Sequence, residues 1–138
     1  MITGRTALYG IVGHPIGHSR SPAMQNAAFA QLGVDATFVP FPVEPGRLAE
    51  ALRGAHALGV RGLNVTVPHK QEAFGLCREL DPVAREVGAV NTLRRLGDGW
   101  EGFNTDAPAT LQLLDAAGLP RGGRVLLLGA GGVARAAA

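Results

Sequence analysis

Glycine and proline set the outline of this chain. Among 138 residues, 20 glycines and nine prolines fall mostly between segments of regular apolar spacing, and each break limits where a strand or helix can run. ALYGIVG at 7–13 reads as a first strand. Ser21-Pro22 then supplies an N-cap and a proline at the first helical position, for a helix that Gly33 stops. A second strand lies within ATFVPFPV, 36–43; its two prolines cannot donate to a ladder, which assigns it an edge position or an early end. Leu48, Leu52, Ala55 and Leu58 recur at helical spacing ahead of Gly59, and GLNVTV at 62–67 forms a third strand. Asp81-Pro82 opens another short helix, AVNTLRRL at 89–96 alternates as a strand, and Asp98-Gly99 makes a hairpin turn into WEGFN. From Thr105 or Asp106 a helix runs to Ala117, with Gly118 as its cap. Strands alternating with helices predict an α/β fold: an open, mostly parallel sheet with flanking helices.

The character changes at LPRGGRVLLLGAGGVARAAA, 119–138. Val125 to Leu128 reads as a short, wholly apolar strand of the kind buried on both faces of a parallel sheet. It leads into Gly129, Ala130, Gly131, Gly132 and Val133, and Ala134 completes the G-x-G-x-x-A spacing of a dinucleotide fingerprint between strand and helix. Glycines there admit a tight turn and let a pyrophosphate approach the amides of a helix N-terminus; the plainer reading is a flexible glycine turn. The expected division is a unit over 1–105, followed at 106–138 by a connecting helix and the start of a Rossmann nucleotide-binding domain. Ala138 comes before the second strand of that domain and before the residue, about 20 positions on, that reads the ribose 2′ position. The expectation is the front part of a longer chain.

Composition narrows the class. A hydrophobic content of 46% is ample for a core, and no stretch is apolar for long enough to span a membrane or to serve as a signal peptide. Thirteen basic against eleven acidic residues give a net charge of +2, and the arginines are scattered rather than gathered into a stripe, which argues against nucleic acid as a partner. An acidic small molecule fits better. Cys77 is the single cysteine, cannot form an internal disulfide and sits in the apolar pattern EAFGLC, so it reads as an inert core thiol in a reducing, cytoplasmic setting.

Several polar clusters fall at predicted strand ends. In HPIGHSRSP, 14–22, Ser19 and Ser21 follow the first strand, where ligands bind in open α/β sheets; they either recognise a carboxylate or merely cap the helix and close a turn. His14 and His18 stand four apart, but Pro15 and Gly17 intervene and no carboxylate is near, so no metal site is expected. His56 reads as a surface or satisfied boundary residue, and His69 as loop structure. In NVTVPHK, 64–70, alternation sends Asn64 and Thr66 to one face, and Pro68 ends the strand just before Lys70. Lys70 is either a solvated lysine or an amine held by a rigid turn for acid–base work. GAVNT and GFNTD add Asn91 and Asp106, the latter either an N-cap or a carboxylate that pairs with Lys70.

Taken in order, HPIGHSRSP, NVTVPHK, GAVNT, GFNTD and GAGGVARA closely resemble the shikimate dehydrogenase family over nearly the whole chain. The resemblance implies a substrate-binding domain followed by a Rossmann domain that binds NADP, and reversible reduction of 3-dehydroshikimate to shikimate in aromatic amino-acid biosynthesis. It implies Ser19 and Ser21 on the substrate carboxylate, Asn64, Thr66, Asn91 and Asp106 on the ring hydroxyls, and Lys70 as the acid–base residue oriented by Asp106. It implies Gly129 to Val133 at the cofactor. A quinate/shikimate dehydrogenase using NAD, and a non-catalytic module that holds shikimate-like acids, are the alternatives. Monomer and homodimer both stay open.

Overall fold

The computed structural model describes residues 2–118, 122, 126–129 and 131–137. Two parallel crossovers begin the fold. Strand β1 (Ala7–Gly13) leads through helix α1 (Ser21–Gln31) to β2 (Ala36–Pro42), and helix α2 (Leu48–Ala57) leads on to β3 (Gly62–Val65). β2 and β3 lie parallel to β1 on either side of it, which leaves β2 and its prolines at the sheet edge, as expected. Helix α3 (Lys70–Leu76), the two-residue β4 (Glu79–Leu80) and α4 (Pro82–Val87) precede a hairpin of β5 (Thr92–Leu96) and β6 (Gly99–Phe103). Helix α5 (Asp106–Ala116) follows, and α6 (Gly132–Ala137) packs against it.

The six strands run β2-β1-β3-β5-β6-β4 across the sheet. β5 is antiparallel to both β3 and β6, while β4 is parallel to β6, so the sheet is mixed, with three parallel ladders against two antiparallel. One face carries the main core: Val12, Leu63, Val65, Leu93 and Trp100 pack with Leu48 and Leu52 of α2, Ala73 of α3 and Ala84 of α4. The other face packs Ile11, Ile16 and Phe38 with Tyr9 and with Phe29 of α1. Trp100 is anchored at both ends of its character, its ring buried and its indole N–H donating to the Leu52 carbonyl at 3.1 Å.

Element ends depart from the sequence pattern where tertiary hydrogen bonds intervene. The third strand ends at Val65 rather than Val67, because β5 begins opposite Asn64; beyond it, Thr66 N–H and the Val67 carbonyl still bond Val12 and His14 of the β1 side alone. The strand expected from Ala89 begins at Thr92, because the Val90 amide is taken by the Lys70 carbonyl at 2.8 Å, which turns the chain out of the ladder. The hairpin turns at Gly97 and Asp98, one residue before the expected pair, since Leu96 pairs with Gly99 and the buried Leu93 and Trp100 fix that register. Leu58 is not part of the α2 stripe: the helix closes at Ala57, Leu58 is exposed, and Gly59 makes the left-handed turn at φ 81°. Ser21 is the first helical residue of α1 rather than its cap. The apolar strand expected at 125–128 is not formed at Leu126, Leu127 and Leu128, which are exposed and pair with no strand among the described residues; Val125 lies outside them.

Candidate active site

Topology gathers the predicted polar residues along one edge of the sheet. β1 and β3 are parallel, and two antiparallel steps make β6 parallel to β3, so the C-terminal ends of β1, β3 and β6 share an edge with the N-terminal end of β5. Ser19 and Ser21 follow β1, Thr66 and Lys70 follow β3, Asn91 precedes β5, and Asp106 follows β6. This is where open α/β sheets place their ligands.

Four of the sequence-predicted residues, Asn64, Lys70, Asn91 and Asp106, are joined with Thr92 in one hydrogen-bonded chain. Lys70 Nζ donates to Asp106 Oδ2 at 2.7 Å, with the lysine side chain 12% exposed and the aspartate 28%. Asp106 Oδ1 accepts from Asn91 Nδ2 at 2.8 Å. Asn91 Oδ1 accepts from the Thr92 hydroxyl at 3.0 Å, and that hydroxyl accepts from Asn64 Nδ2 at 3.2 Å. The donors all point one way, from Asn64 through Thr92 and Asn91 to the carboxylate, so each bond polarises the next toward the ion pair. Lys70 is the only lysine in the chain, beside twelve arginines. The hydrogen bond from Asn91 fixes the carboxylate partner of Lys70 in place.

Asn91 is committed to the protein at both ends of its carboxamide, since its amide also donates to Thr105 Oγ1 at 2.8 Å and its oxygen also accepts the Thr105 N–H at 3.1 Å. Asp106 is the first residue of α5, not its cap. Asn104 serves there instead: it is buried, and its Oδ1 accepts from the Asp106 and Ala107 amides at 3.0 and 3.1 Å. An asparagine two residues before a helix of this pattern is the signal that marks it. Thr92, Asn104 and Thr105, which fall within the polar stretches GAVNT and GFNTD but are given no role by the sequence pattern, are thus part of the site.

His69 also differs from its expected role as loop structure. It is fully buried, and its Nε2 faces the Val43 carbonyl at 2.7 Å, so that nitrogen carries the proton and donates. Nδ1 has no hydrogen-bond partner among the described residues and lies 3.7 Å from Glu72 Oε2. The Val43 amide bonds the Gly13 carbonyl at 3.1 Å, so this imidazole ties the first turn of α3, and Lys70 with it, to the ends of β2 and β1.

Ser19 and Ser21 stand on their own loop, with no hydrogen bond to the lysine cluster among the described residues; Ser19 Oγ accepts the Ser21 N–H at 3.3 Å. The Ser21 and Thr66 hydroxyls have no protein partner among the described residues and are partly exposed, as ligand-binding hydroxyls require. Thr66 is seated by Gly13, where an added Cβ would come within 2.5 Å of its methyl group. In the glycine loop, Gly129 has φ 130°, a backbone that side chains rarely adopt, Gly131 faces open space, and Gly132 begins α6; Ala130 and the Val133 side chain lie outside the described residues. Among the described residues, no group of three His, Cys, Asp or Glu side chains is placed to hold a metal ion, and no helix is long and apolar enough to cross a membrane.

The profile of the shikimate dehydrogenase substrate binding domain matches residues 11–93. The chain belongs to the shikimate dehydrogenase family. A shikimate dehydrogenase (NADP(+)) of Anaeromyxobacter sp. (strain K) is 74% identical over 138 residues, covering 100% of this chain and 50% of its own. The crystal structure of shikimate dehydrogenase from Aquifex aeolicus is 40% identical with a TM-score of 0.90, over 99% of this chain and 52% of that one. That of the Thermus thermophilus enzyme in complex with NADP(H) and shikimate is 37% identical with a TM-score of 0.84, over 95% and 50%. The chain therefore spans about half the length of the curated relatives it matches. The segment that matches the shikimate dehydrogenase substrate domain contains Ser19, Ser21, Asn64, Thr66, Lys70 and Asn91, and Asp106 closes the same edge from the far side of the hairpin.

Proposed function

We propose that this chain provides the substrate site of an NADP-dependent shikimate dehydrogenase, which interconverts 3-dehydroshikimate and shikimate. The Lys70–Asp106 ion pair at the strand edge carries the reading. Residues 1–105 form the substrate-binding unit, and 106–138 the connecting helix with the first segment of a nucleotide-binding domain. Ser19 and Ser21 hold the substrate carboxylate. Asn64, Thr66, Asn91 and Asp106 take the ring hydroxyls, and Asn91 also holds Asp106 in place. The single free thiol suits a reducing, cytoplasmic setting.

The glycine turn fits a dinucleotide: Gly129 adopts a conformation that favours glycine, and added side chains at Gly129 and Gly131 would fill open space where a pyrophosphate needs to approach. Gly129, Ala130, Gly131, Gly132 and Val133 would hold NADP there, and bound NADPH supplies the hydride. As the ketone carbon becomes tetrahedral, negative charge grows on its oxygen. The Lys70 ammonium stabilises that charge and transfers a proton from Nζ to the oxygen, while Asp106 keeps the amine aimed until the transfer. In the reverse direction the amine takes the hydroxyl proton. An arginine could not do this, because its guanidinium does not release a proton.

Calorimetric titration of the 138-residue chain with shikimate tests the binding half, and turnover with NADPH, with NADH as comparison, tests the chemistry. Shikimate binds the unaltered chain and binds Asp106→Ala more weakly; absence of binding to the unaltered chain sinks the reading. In a complete enzyme, Lys70→Ala lowers kcat by ~100- to 10,000-fold, the usual contribution of a placed proton donor. Near-normal turnover with unchanged pH dependence would remove Lys70 from the mechanism, and preference for NADH with quinate would move the chain to the quinate-using branch.

A further inference from the structure

Asn104 sits between β6 and α5, 3% exposed, and uses both ends of its carboxamide. Its oxygen accepts from the Asp106 and Ala107 amides, and its Nδ2 donates to the Ala89 carbonyl at 3.0 Å. Its own amide reaches Asp81 Oδ1 at 3.3 Å, the same oxygen that caps α4 through Ala84 N–H. A helix cap needs only the acceptor, which serine, threonine or aspartate would also supply. The donor end, tied to Ala89, is left over by that explanation.

What Ala89 and Asp106 have in common is the carboxylate that grips Lys70. Asn91 lies two residues beyond Ala89 and bonds Asp106 Oδ1, while Asp106 projects from the backbone that Asn104 caps. One carboxamide thus spans both chain segments that place this carboxylate. The Asn104 side chain bonds neither Lys70 nor the Asp106 carboxylate, so any effect on the pair passes through those two segments.

We propose that Asn104 is a positioning residue for the Lys70–Asp106 ion pair, its acceptor end setting the start of α5 and its donor end setting the 89–91 segment. The purpose of the pair rests on the reading of Lys70 as proton donor; the placement of the pair does not. Because Lys70 is the only lysine, reaction with an amine-directed reagent, read at that residue by peptide mass spectrometry, reports on the pair in the full chain. An amine held against its carboxylate partner with its side chain 12% exposed is shielded from the reagent, and one released from that partner reacts faster. Asp106→Asn sets the rate for the unpaired amine.

Asn104→Ser keeps a capping oxygen but is too short to reach Ala89. In the folded state Lys70 of this variant is labelled about tenfold faster than in the unaltered chain, toward the Asp106→Asn rate. A wild-type labelling rate in folded Asn104→Ser overturns the proposal, because a cap alone lowers thermal stability without moving the rate. If Asn104→Ser does not fold, Asn104→Thr, a bulkier cap that also lacks the donor, is held to the same two outcomes. The assay contains neither shikimate nor NADPH. Its failure removes the role of Asn104 only, whereas absence of shikimate binding removes the functional reading and leaves the placement of the pair intact.

Discussion

Lys70 and Cys77 lie on the same short stretch of chain and answer burial in opposite ways. The lysine is paired with a carboxylate, so its charge is supported where it stands. The cysteine has no cation partner among the described residues; its thiol donates to the Ala73 carbonyl at 3.1 Å, and burial pushes its pKa up from 9.0 to about 11. The thiol is therefore inert at neutral pH, in keeping with the sequence reading of a core thiol. Its linkage has a definite sign. The unfolded chain releases the thiol proton near pH 9 while the folded chain holds it to about pH 11, so this group disfavours the folded state progressively as pH rises through that window. Denaturant midpoints of the unaltered chain and of Cys77→Ala, compared from about pH 8 to about pH 11, move against the unaltered chain as pH rises. A constant difference would show that the thiol does not titrate differently in the two states. At this scale the catalytic candidates were legible because proline and strand ends announce themselves in sequence. The direction of the Asn91 carboxamide and the donor end of Asn104 were not, since they depend on the Thr105 hydroxyl, the Asp106 carboxylate and the Ala89 carbonyl, 14 to 15 residues away.

Element bounds follow the sequence pattern where the signals are local and shift where the backbone finds other partners. α4 shows the first half: Asp81 caps it through Ala84 N–H at 2.8 Å, Pro82 opens it and Gly88 closes it at φ 68°, all local signals. β5 shows the second, its start delayed by a bond from Val90 to Lys70 that no local pattern encodes. The seating of α1 on the sheet is of the same kind. Asn26 accepts the Phe38 N–H at 2.9 Å and donates to the Phe38 carbonyl at 2.8 Å, so a single side chain stands in for a further strand beside β2. Phe38 is buried, and its edge groups would otherwise lack partners. Asn26→Ala therefore destabilises the fold by about 1–3 kcal/mol in urea unfolding, the cost of stranding buried backbone groups. A loss within measurement error would mean that water replaces the carboxamide at that edge.

For the whole molecule, the sheet is unevenly supported. β3 is flanked by β1 and β5, while β4 has two residues and lies at the edge beside β6. Native-state hydrogen exchange follows this arrangement: amides of Gly62–Val65 are the best protected, and those of β4 open first without unfolding the rest. Equal protection of the two would indicate that the sheet opens only as one unit. The α/β class was legible from the alternation of strands and helices. The antiparallel turn of β5 was not assigned its place in the sheet, because pairing order is decided by which faces bury one another rather than by any one segment.

The span of the Lys70–Asp106 pair also sets an order in time. A ribosome releases this chain from its N-terminus, and the parallel β2-β1-β3 unit is complete once residue 65 is free. The amine on the first turn of α3 then waits 36 residues for its carboxylate, until both strands of the hairpin have emerged. The chemical centre is thus the last part of this sheet edge that synthesis supplies, and the amine leaves the ribosome before the group that holds it.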